Sequence, residues 1–395
     1  MKVRTITVFA SLSKSSLADG GKILKEKIKK VSELLQAVKI SILGLGWEVQ
    51  TVRVAFNDPQ EYLFLNDAIA LDQQLDLLDA ELASQGIEFC SLGRLTTTNI
   101  ELLKLLPSII LKSPRFNVSV DMPPTDFPLA KAAADVAIAI SKPTSGSANF
   151  RFCVSACCEP GLPYFPGALA GEEPEGEDRF SFALGLENGD AAQAIMSKAG
   201  TIANIHQAAK EILMPSLEKL EACCKAAAQA HNASYIGIDT SLNPSLDPGY
   251  SGSVAQSFEK LEEINEFGCH GTLAAVAATT HALQALTIMK TGYCGLMLPV
   301  CEDRRLAELT MNGTLSLTTL LTLSSVCGVG IDTVPVPGDV SVTRLAALYL
   351  DVAALANRWK KPLSCRVFPV PGARRSDVTE FNSPYLVNAS VLPIP

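Results

Sequence analysis

Histidine and charge are both scarce in this sequence. Only 19% of the 395 residues are charged, and only four are histidine. The 33 Lys and Arg residues are outnumbered by 41 Asp and Glu residues, which gives a formal net charge of −8. A negative protein is repelled by a phosphate backbone. We therefore expect no nucleic acid among its partners.

Long uninterrupted apolar runs are also missing, although 48% of the residues are hydrophobic. A membrane-spanning helix needs roughly 18 consecutive apolar residues, and the most apolar stretches, 272–286 and 315–328, are interrupted by hydroxyl or amide side chains. The first nine residues alternate as in a strand, with no apolar run followed by a cleavage site. These features predict a cytoplasmic protein with no membrane partner.

The eleven cysteines do not follow a metal-binding or disulfide pattern. None are spaced C-x-x-C, and the adjacent pairs Cys157-Cys158 and Cys223-Cys224 are poor chelators because neighbouring side chains diverge. In a cytosolic chain such cysteines are usually buried thiols. Phosphate-binding motifs of the GxxxxGK[ST] or GxGxxG type are absent as well. We therefore predict no organic cofactor.

Short β-rich runs, turns and long Ala- and Leu-rich runs alternate along the chain, a pattern typical of α/β proteins. No linker divides the sequence, so we predict one domain over residues 1–395. Residues 20–115 are more helical and form either a cap or the first turns of an α/β barrel, and the acidic segment 171–178 is predicted to be an exposed loop. The predicted strands cover residues 1–9, 48–55, 87–92, 115–120, 150–156, 181–186, 235–240, 295–300 and 363–370. A helix over 191–224 is predicted to break near Pro215, because proline cannot continue the helical hydrogen bonds.

Candidate functional residues lie where predicted strands end and helices begin, which is where α/β proteins bind ligands. Asp239 ends one strand, Glu302 follows another, and Asp332 lies in a predicted rigid turn over 328–339. His270 directly precedes a helix and is a candidate general base. The candidate substrate-binding residues are Tyr164, Phe165, Ser241, Asn243, Ser251, Ser253, Cys269 and Asp303.

Structural roles are alternatives for several of these residues. We interpret Asp339 as the N-cap of the helix that follows it, and for Asp303 capping is an alternative to a functional role. Asp239, at the end of an apolar strand, needs either solvent in a cleft or a bonding partner. A lone histidine such as His270 is often a structural group. Cys157 and Cys158 begin a proline-rich loop, which we interpret as the rigid wall of a pocket.

Five runs in the sequence resemble the domain-of-unknown-function 711 family. They are GLPYFP (161–166), IGIDTSL (236–242), LMLPVCED (296–303), VCGVGIDTVPVPGD (326–339) and VPG (370–372). The resemblance extends over nearly the whole chain and implies a single α/β barrel of about ten strands, like that of pyruvate formate-lyase and other glycyl-radical enzymes. It does not imply radical chemistry, because Gly292-Tyr293 lacks the Arg-Val that precedes the radical glycine of those enzymes.

Two kinds of function fit these observations. The first is a cofactor-independent isomerase, lyase or cyclase in which Asp239, Glu302 and Asp332 meet at a barrel mouth and His270 assists. Paired carboxylates shift one another's pKa and so supply both an acid and a base for a small polar metabolite. A divalent cation, Mg²⁺ or Ca²⁺, among the same carboxylates is a variant of this hypothesis. The alternative is a non-catalytic regulatory protein that binds a small molecule. In either case we expect a homodimer or higher homo-oligomer.

Overall fold

The computed structural model describes residues 2–171 and 179–395. Its described residues contain nine strands in one sheet, in the order β7-β6-β1-β2-β3-β4-β5-β9-β8. The strands are β1 (Lys2–Phe9), β2 (Val49–Ala55), β3 (Phe89–Leu95), β4 (Phe116–Asp121), β5 (Phe152–Ala156), β6 (Ser181–Glu187), β7 (Ser234–Asp239), β8 (Gly330–Pro337) and β9 (Leu363–Val370). Apart from Gly171, the predicted acidic loop lies outside the described residues.

Helices alternate with these strands, so the predicted α/β class is confirmed. They are α1 (Lys22–Gly44), α2 (Pro59–Tyr62), α3 (Ala68–Ser84), α4 (Leu106–Lys112), α5 (Phe127–Ser141), α6 (Gly189–Ala199), α7 (Ile205–Ala230), α8 (Val254–Phe258), α9 (Thr272–Gln284), α10 (Arg304–Met311), α11 (Leu317–Ser324) and α12 (Val342–Trp359). In the described part of the chain, no helix is both long and apolar enough to cross a membrane. Region 20–115 supplies β2 and β3 to the central sheet.

The first helix shows how the sequence directs packing onto the sheet. Buried residues recur at intervals of three or four along α1, which gives the helix one apolar face. They are Leu24, Ile28, Val31, Leu34, Leu35, Val38 and Ile42. This face packs against β1 and β2, whose apolar side chains join the same core.

The sheet contains strands of two directions. β1 to β5 are mutually parallel. β6 is antiparallel to β1 and β9 is antiparallel to β5, while β6 with β7 and β8 with β9 are parallel pairs. The carboxyl ends of the second set therefore lie at the same edge as the amino ends of the first set.

Residues 289–299 lie between the two end strands of the sheet. Isolated bridges join Ile238 and Leu242 to this segment on one side, and Pro299 to Asp332 of β8 on the other. The predicted continuous strand over 295–300 is therefore wrong, because only isolated bridges form there. Pro299 lacks an amide hydrogen, so it donates no hydrogen bond to a neighbouring strand.

The predicted turn over 328–339 is also wrong, since most of it is strand β8. The prolines in this run had suggested a turn, but proline is tolerated in a strand at the end of a sheet, where fewer backbone N–H groups must pair. β8 is such a strand and pairs along its length with β9. Its position brings Asp332 into the sheet rather than into a surface turn.

The predicted helix 191–224 is divided, but not at Pro215. α6 ends where Gly200 adopts a positive φ of 64° and donates to the Met196 carbonyl. Pro215 lies inside α7. An interior proline costs about 3 kcal/mol, and burial of the long apolar face of α7 outweighs that local cost.

Substitution of Gly328 tests the contact between residues 289–299 and the start of β8. A Cβ at Gly328 would lie 2.9 Å from Gly295 Cα, and one at Gly295 would lie 2.6 Å from Gly328 Cα. We expect Gly328→Ala to lower the free energy of unfolding by about 1–3 kcal/mol through overpacking, as measured by urea denaturation. Gly44→Ala is the control, because a Cβ there meets nothing within 4 Å. Equal stability of both variants would contradict the close contact.

Candidate functional site

Four strands place charged side chains around a buried cavity. Arg4 of β1, Arg53 of β2, Asp332 of β8 and Arg366 of β9 line a space of about 60 Å³, together with Glu302, which follows residues 289–299. Charged side chains are almost never buried in proteins without partners. We call Arg4, Glu187, Glu302, Asp332 and Arg366 the ion cluster, because these residues are linked by hydrogen bonds and ion pairs.

Arg366 is the centre of the ion cluster. Its Nε donates to Asp332 Oδ1 at 2.6 Å and its Nη2 to Asp332 Oδ2 at 3.1 Å, which is the paired geometry that favours arginine over lysine. The same Nη2 donates to Glu302 Oε1 at 2.9 Å. Two carboxylates from different parts of the chain therefore share one guanidinium.

The ion cluster continues from Glu302 to the opposite set of strands. Arg4 Nη2 donates to Glu302 Oε2 at 2.6 Å, and Arg4 Nη1 donates to Glu187 Oε2 at 2.6 Å. Burial raises the pKa of Glu302, and the neighbouring Arg366 and Arg4 only partly oppose that rise. Burial also opposes the charge of Arg366, but Asp332 and Glu302 outweigh it and raise the pKa of that guanidinium. Glu302 thus binds a proton more readily than an ordinary glutamate.

Arg53 differs from the other two arginines. Its Nε donates to Thr51 Oγ1 at 2.9 Å, and its guanidinium carbon lies 5.1 Å from the ring centres of both Phe89 and Phe165. No carboxylate among the described residues pairs with it. Burial, with a contribution from nearby Arg4, lowers its pKa to about 9.

The sequence-based reasoning missed all three arginines of the cavity. Arg53 and Arg366 each occupy the interior of a strand that is otherwise apolar or weakly polar, VQTVRVA and LSCRVFPV, and Arg4 is followed by the uncharged run TITVF. A charge in such a strand needs a buried partner, and this signal could have indicated that the face is polar.

Five of the predicted residues meet at this cavity. Glu302 and Asp332 share Arg366, and Asn243, Tyr164 and Phe165 belong to the cavity lining. The Tyr164 hydroxyl is already occupied, because it donates to the Leu186 carbonyl and accepts from the Leu186 N–H, both at 2.7 Å. Tyr164 therefore serves as a fixed wall of the cavity.

Asp239 does not line this cavity. It is fully buried and accepts hydrogen bonds from Ser241 N at 3.0 Å, Ser241 Oγ at 2.5 Å, Tyr293 N at 2.7 Å and Cys294 N at 3.0 Å. Burial raises its pKa although these bonds oppose the rise. Asp239 and Ser241 thus hold residues 289–299 against the end of β7, instead of facing the cavity.

Asp303 and Ser253 form a buried cap. Asp303 accepts from Arg305 N at 2.9 Å at the start of α10, and from Val254 N at 2.8 Å at the start of α8. Ser253 Oγ donates to Asp303 Oδ1 at 2.6 Å. Capping was the structural alternative for Asp303. The same expectation for Asp339 is wrong, because Ser341 caps α12 and Asp339 is exposed.

Three further predicted residues lie at the surface, away from the ion cluster. Ser251, Cys269 and His270 are all exposed, and none of them lines the cavity. The reason is local: His270 and Cys269 precede α9 in a turn that faces solvent. Cys158 is buried, and burial raises its pKa to about 12, so it is a neutral thiol; Cys157 beside it is half-buried.

A larger cavity of about 470 Å³ adjoins the first one and shares Arg4, Arg53 and Glu302 with it. Its rim includes Lys2, whose Nζ lies 3.2 Å from Asp247 Oδ1. We call the two spaces the inner and the outer cavity. The outer one lies at the sheet edge where the second set of strands ends and the first begins.

The described residues contain no group of three or more His, Cys, Asp and Glu side chains arranged to hold a metal ion. In the ion cluster, both oxygens of Glu302 and both of Asp332 accept from guanidinium groups. The arrangement can bind an anion and exchange a proton with it.

Comparison with known proteins gives a family. A family model described as Uncharacterised ACR (DUF711) matches residues 1–382. A UPF0210 protein of Pyrobaculum arsenaticum is 25% identical over 387 residues, covering 92% of this chain and 84% of that protein. A UPF0210 protein of Oenococcus oeni is 33% identical over 161 residues, covering 40% of this chain and 35% of its own, and one of Ruminiclostridium cellulolyticum is 36% identical over 148 residues, covering 36% and 32%. These two matches span about a third of the relatives' lengths.

Asp239→Asn tests the structural role of Asp239. The amide puts an NH₂ group in place of one acceptor oxygen, so buried N–H donors are left unpaired, and each such loss costs about 1–3 kcal/mol. We expect the free energy of unfolding to fall by about 2–4 kcal/mol in urea denaturation. The matched control is Asp351→Asn at an exposed position of α12, where a change within about 0.5 kcal/mol is expected. Equal effects of the two substitutions would show that Asp239 does not anchor residues 289–299.

Proposed function

We propose that this chain, which belongs to the Uncharacterised ACR (DUF711) family, is a cofactor-independent acid/base enzyme acting on a small polar metabolite. The reaction class is isomerase, lyase or cyclase, and the substrate site is the inner cavity. One observation carries the proposal: Glu302 and Asp332, from separate parts of the chain, share the Arg366 guanidinium at the cavity wall.

As part of the same proposal, the fold is a ten-stranded barrel of the pyruvate formate-lyase type. Residues 289–299 would serve as the tenth strand, since they bridge β7 on one side and β8 on the other. This gives two parallel sets of five, namely β1 to β5 and β6, β7, residues 289–299, β8 and β9. Met297 N donates to the Leu242 carbonyl at 3.0 Å and Gly328 N donates to the Leu296 carbonyl at 2.7 Å, which supports closure on both sides. The inner cavity then lies inside the barrel.

Glu302 is assigned the proton transfer. Its pKa is raised by burial, and a general acid or base works best when its pKa approaches the working pH. Asp332 is a positioning residue, because both of its oxygens accept from Arg366 and hold that guanidinium against Glu302. The arginines also stabilise negative charge that develops on a substrate, and they do so more strongly in a buried site than in water.

Hydroxyl groups complete the proposed site. Tyr293 Oη lies 2.5 Å from Ser364 Oγ, and both residues line the inner cavity. Burial raises the pKa of Tyr293 well above its ordinary value, so the phenol stays neutral and donates hydrogen bonds. Proton transfer within one bound molecule needs no second substrate, which suits a small enclosed cavity.

A non-catalytic regulatory protein that binds a small molecule is the second candidate. The observation that favours it is the saturation of the ion cluster, in which each carboxylate already has a guanidinium partner. The divalent-cation variant would require Glu302 and Asp332 to give up Arg4 and Arg366. Homo-oligomer formation stays a prediction. His270 has no part in the proposed chemistry, because it is exposed.

Incubation with a metabolite extract, followed by mass spectrometry, tests the enzyme proposal. We expect a small polar metabolite to be consumed and an isomer, cleavage product or cyclised product to appear. Glu302→Gln should then lower kcat by about 10²- to 10⁴-fold, the usual contribution of a general acid or base. Glu262→Gln, at an exposed position of the same charge, should retain the wild-type rate.

Folding must be checked in the same variants, because removing one partner of a buried ion pair can cost about 3–5 kcal/mol. Glu302→Asp keeps the charge and withdraws the carboxylate by one methylene, so it should fold while still losing rate. Full activity of both Glu302 variants would overturn the assignment. Stoichiometric binding of a metabolite that is returned unchanged would favour the regulatory alternative.

A further inference from the structure

One of the arginines that line the inner cavity lacks a carboxylate partner. Arg4, Arg53 and Arg366 all line the cavity, and the carboxylates of the ion cluster pair with the first and the last of them. Arg4 and Arg366 are each bonded to carboxylates. Arg53 is thus the lining arginine without a carboxylate partner among the described residues, and a buried charge without such a partner is costly in a folded protein.

Arg53 is held in a fixed position facing the cavity. Its residue is only 9% exposed. Thr51 Oγ1 donates to the Arg4 carbonyl at 2.6 Å, which leaves an oxygen lone pair for Arg53 Nε. The rings of Phe89 and Phe165 attract the guanidinium charge.

These contacts leave the two terminal nitrogens of Arg53 without an acceptor from the described residues. The aromatic rings attract the charge but accept no hydrogen bonds from the N–H groups in the plane of the guanidinium. Thr51 accepts a hydrogen bond only from Nε. No acceptor among the described residues bonds to its two terminal nitrogens. Because the side chain lines the inner cavity, an acceptor placed there would complete the hydrogen bonding of the guanidinium.

The nature of the acceptor follows from the geometry of the guanidinium and the size of the cavity. One arginine without a carboxylate partner matches one carboxylate. A carboxylate matches the planar guanidinium with two parallel hydrogen bonds. A cavity of about 60 Å³ has room for about four water-sized centres at about 15 Å³ each, so the part of the ligand that lies inside it has only a few carbon atoms.

We propose that Arg53 binds the carboxylate of a small hydroxy or oxo monocarboxylic acid in the inner cavity. Asn117, Asn243 and the hydroxyls of Tyr293 and Ser364 line the same space and are placed to bond the remaining oxygen of the ligand. That the acid is a substrate, rather than an effector, rests on the proposed function. The carboxylate would fix the molecule beside Glu302, the group assigned the proton transfer.

Calorimetric titration of the full chain with lactate and with its neutral amide, lactamide, tests this proposal without any substitution. The two probes have nearly the same shape and differ in the charge that Arg53 would recognise. We expect lactate to bind and lactamide to bind at least about 10-fold more weakly, as for loss of a charged hydrogen-bond pair. Equal affinities, tighter binding of inorganic phosphate, or no binding of lactate, pyruvate or glycolate would each overturn the proposal.

Arg53→Gln should weaken lactate binding by about 10- to 100-fold. The affinity of Arg53→Lys should lie between those of Arg53→Gln and the wild type, because lysine keeps the charge but cannot form two parallel hydrogen bonds with the carboxylate. Arg375→Gln removes the same charge from an exposed position and should leave binding unchanged. Arg53→Gln should fold, since it removes an unpaired buried cation, and Arg53→Lys provides a second variant if it does not. Undiminished binding by Arg53→Gln would overturn the proposal.

Glu302→Gln separates this proposal from the proposed function. If that variant loses turnover but still binds lactate through Arg53, both proposals stand. If turnover depends on Glu302 but acts on a neutral metabolite, and lactate does not bind, the carboxylate site is wrong and the acid/base enzyme stands. If lactate binds through Arg53 and no metabolite is turned over, the enzyme proposal is wrong and the carboxylate site stands.

Discussion

The sharing of Arg366 between Asp332 and Glu302 is the interaction on which the site depends. Asp332 belongs to β8, Arg366 to β9, and Glu302 to the turn that follows residues 289–299. Through Glu302 the contact reaches Arg4 of β1, on the far side of the sheet order. Because the partners come from distant strands, removing any one of them would leave a buried charge unpaired, and such a loss is far more costly than the net gain from the intact pair. The ion cluster therefore contributes more to the selection of one arrangement of these strands than to the net stability of the fold.

Buried carboxylates in this chain fall into two kinds, distinguished by their donors. Asp239 and Asp303 accept mainly from backbone N–H groups, at the end of β7 and at the starts of α8 and α10. Such bonds fix loops and helix ends, and neither of these two carboxylates lines the inner cavity. Glu302 and Asp332 accept from guanidinium groups and do line that cavity. The kind of donor and the position relative to the cavity thus separate the carboxylates that hold the fold from the two at the proposed site.

The α/β class and most strand positions could be predicted from the sequence. Asp239, Glu302 and Asp332 were expected to meet, and the structure brings only the last two of them to one cavity. The strand over 363–370 was predicted at the bounds that the structure has, since its apolar run is bordered by prolines and a glycine. β8 was missed because Pro335 and Pro337 suggest a turn, and only the strand's place at the end of the sheet order makes them acceptable. Asp239 was placed with the reactive carboxylates because a strand end is exposed in many α/β proteins. Its donors come from residues 293 and 294, and no local pattern reveals a contact over that sequence distance.

The three arginines show why the charge of the cavity could not be predicted from composition. A net charge of −8 suggests an acidic protein with no preference for anions, yet the inner cavity is lined by Arg53, which has no carboxylate partner among the described residues. Electrostatic effects in a buried site depend on the few charges within it, because the surrounding low-polarity material screens them weakly, whereas distant surface charges are screened by water and salt. Arg53 has a lowered pKa through burial and the nearness of Arg4, which means that the folded protein holds this cation against an electrostatic cost. A carboxylate bound to Arg53, as proposed, would offset part of that cost, because its negative charge would lie beside the guanidinium in the same weakly screened site.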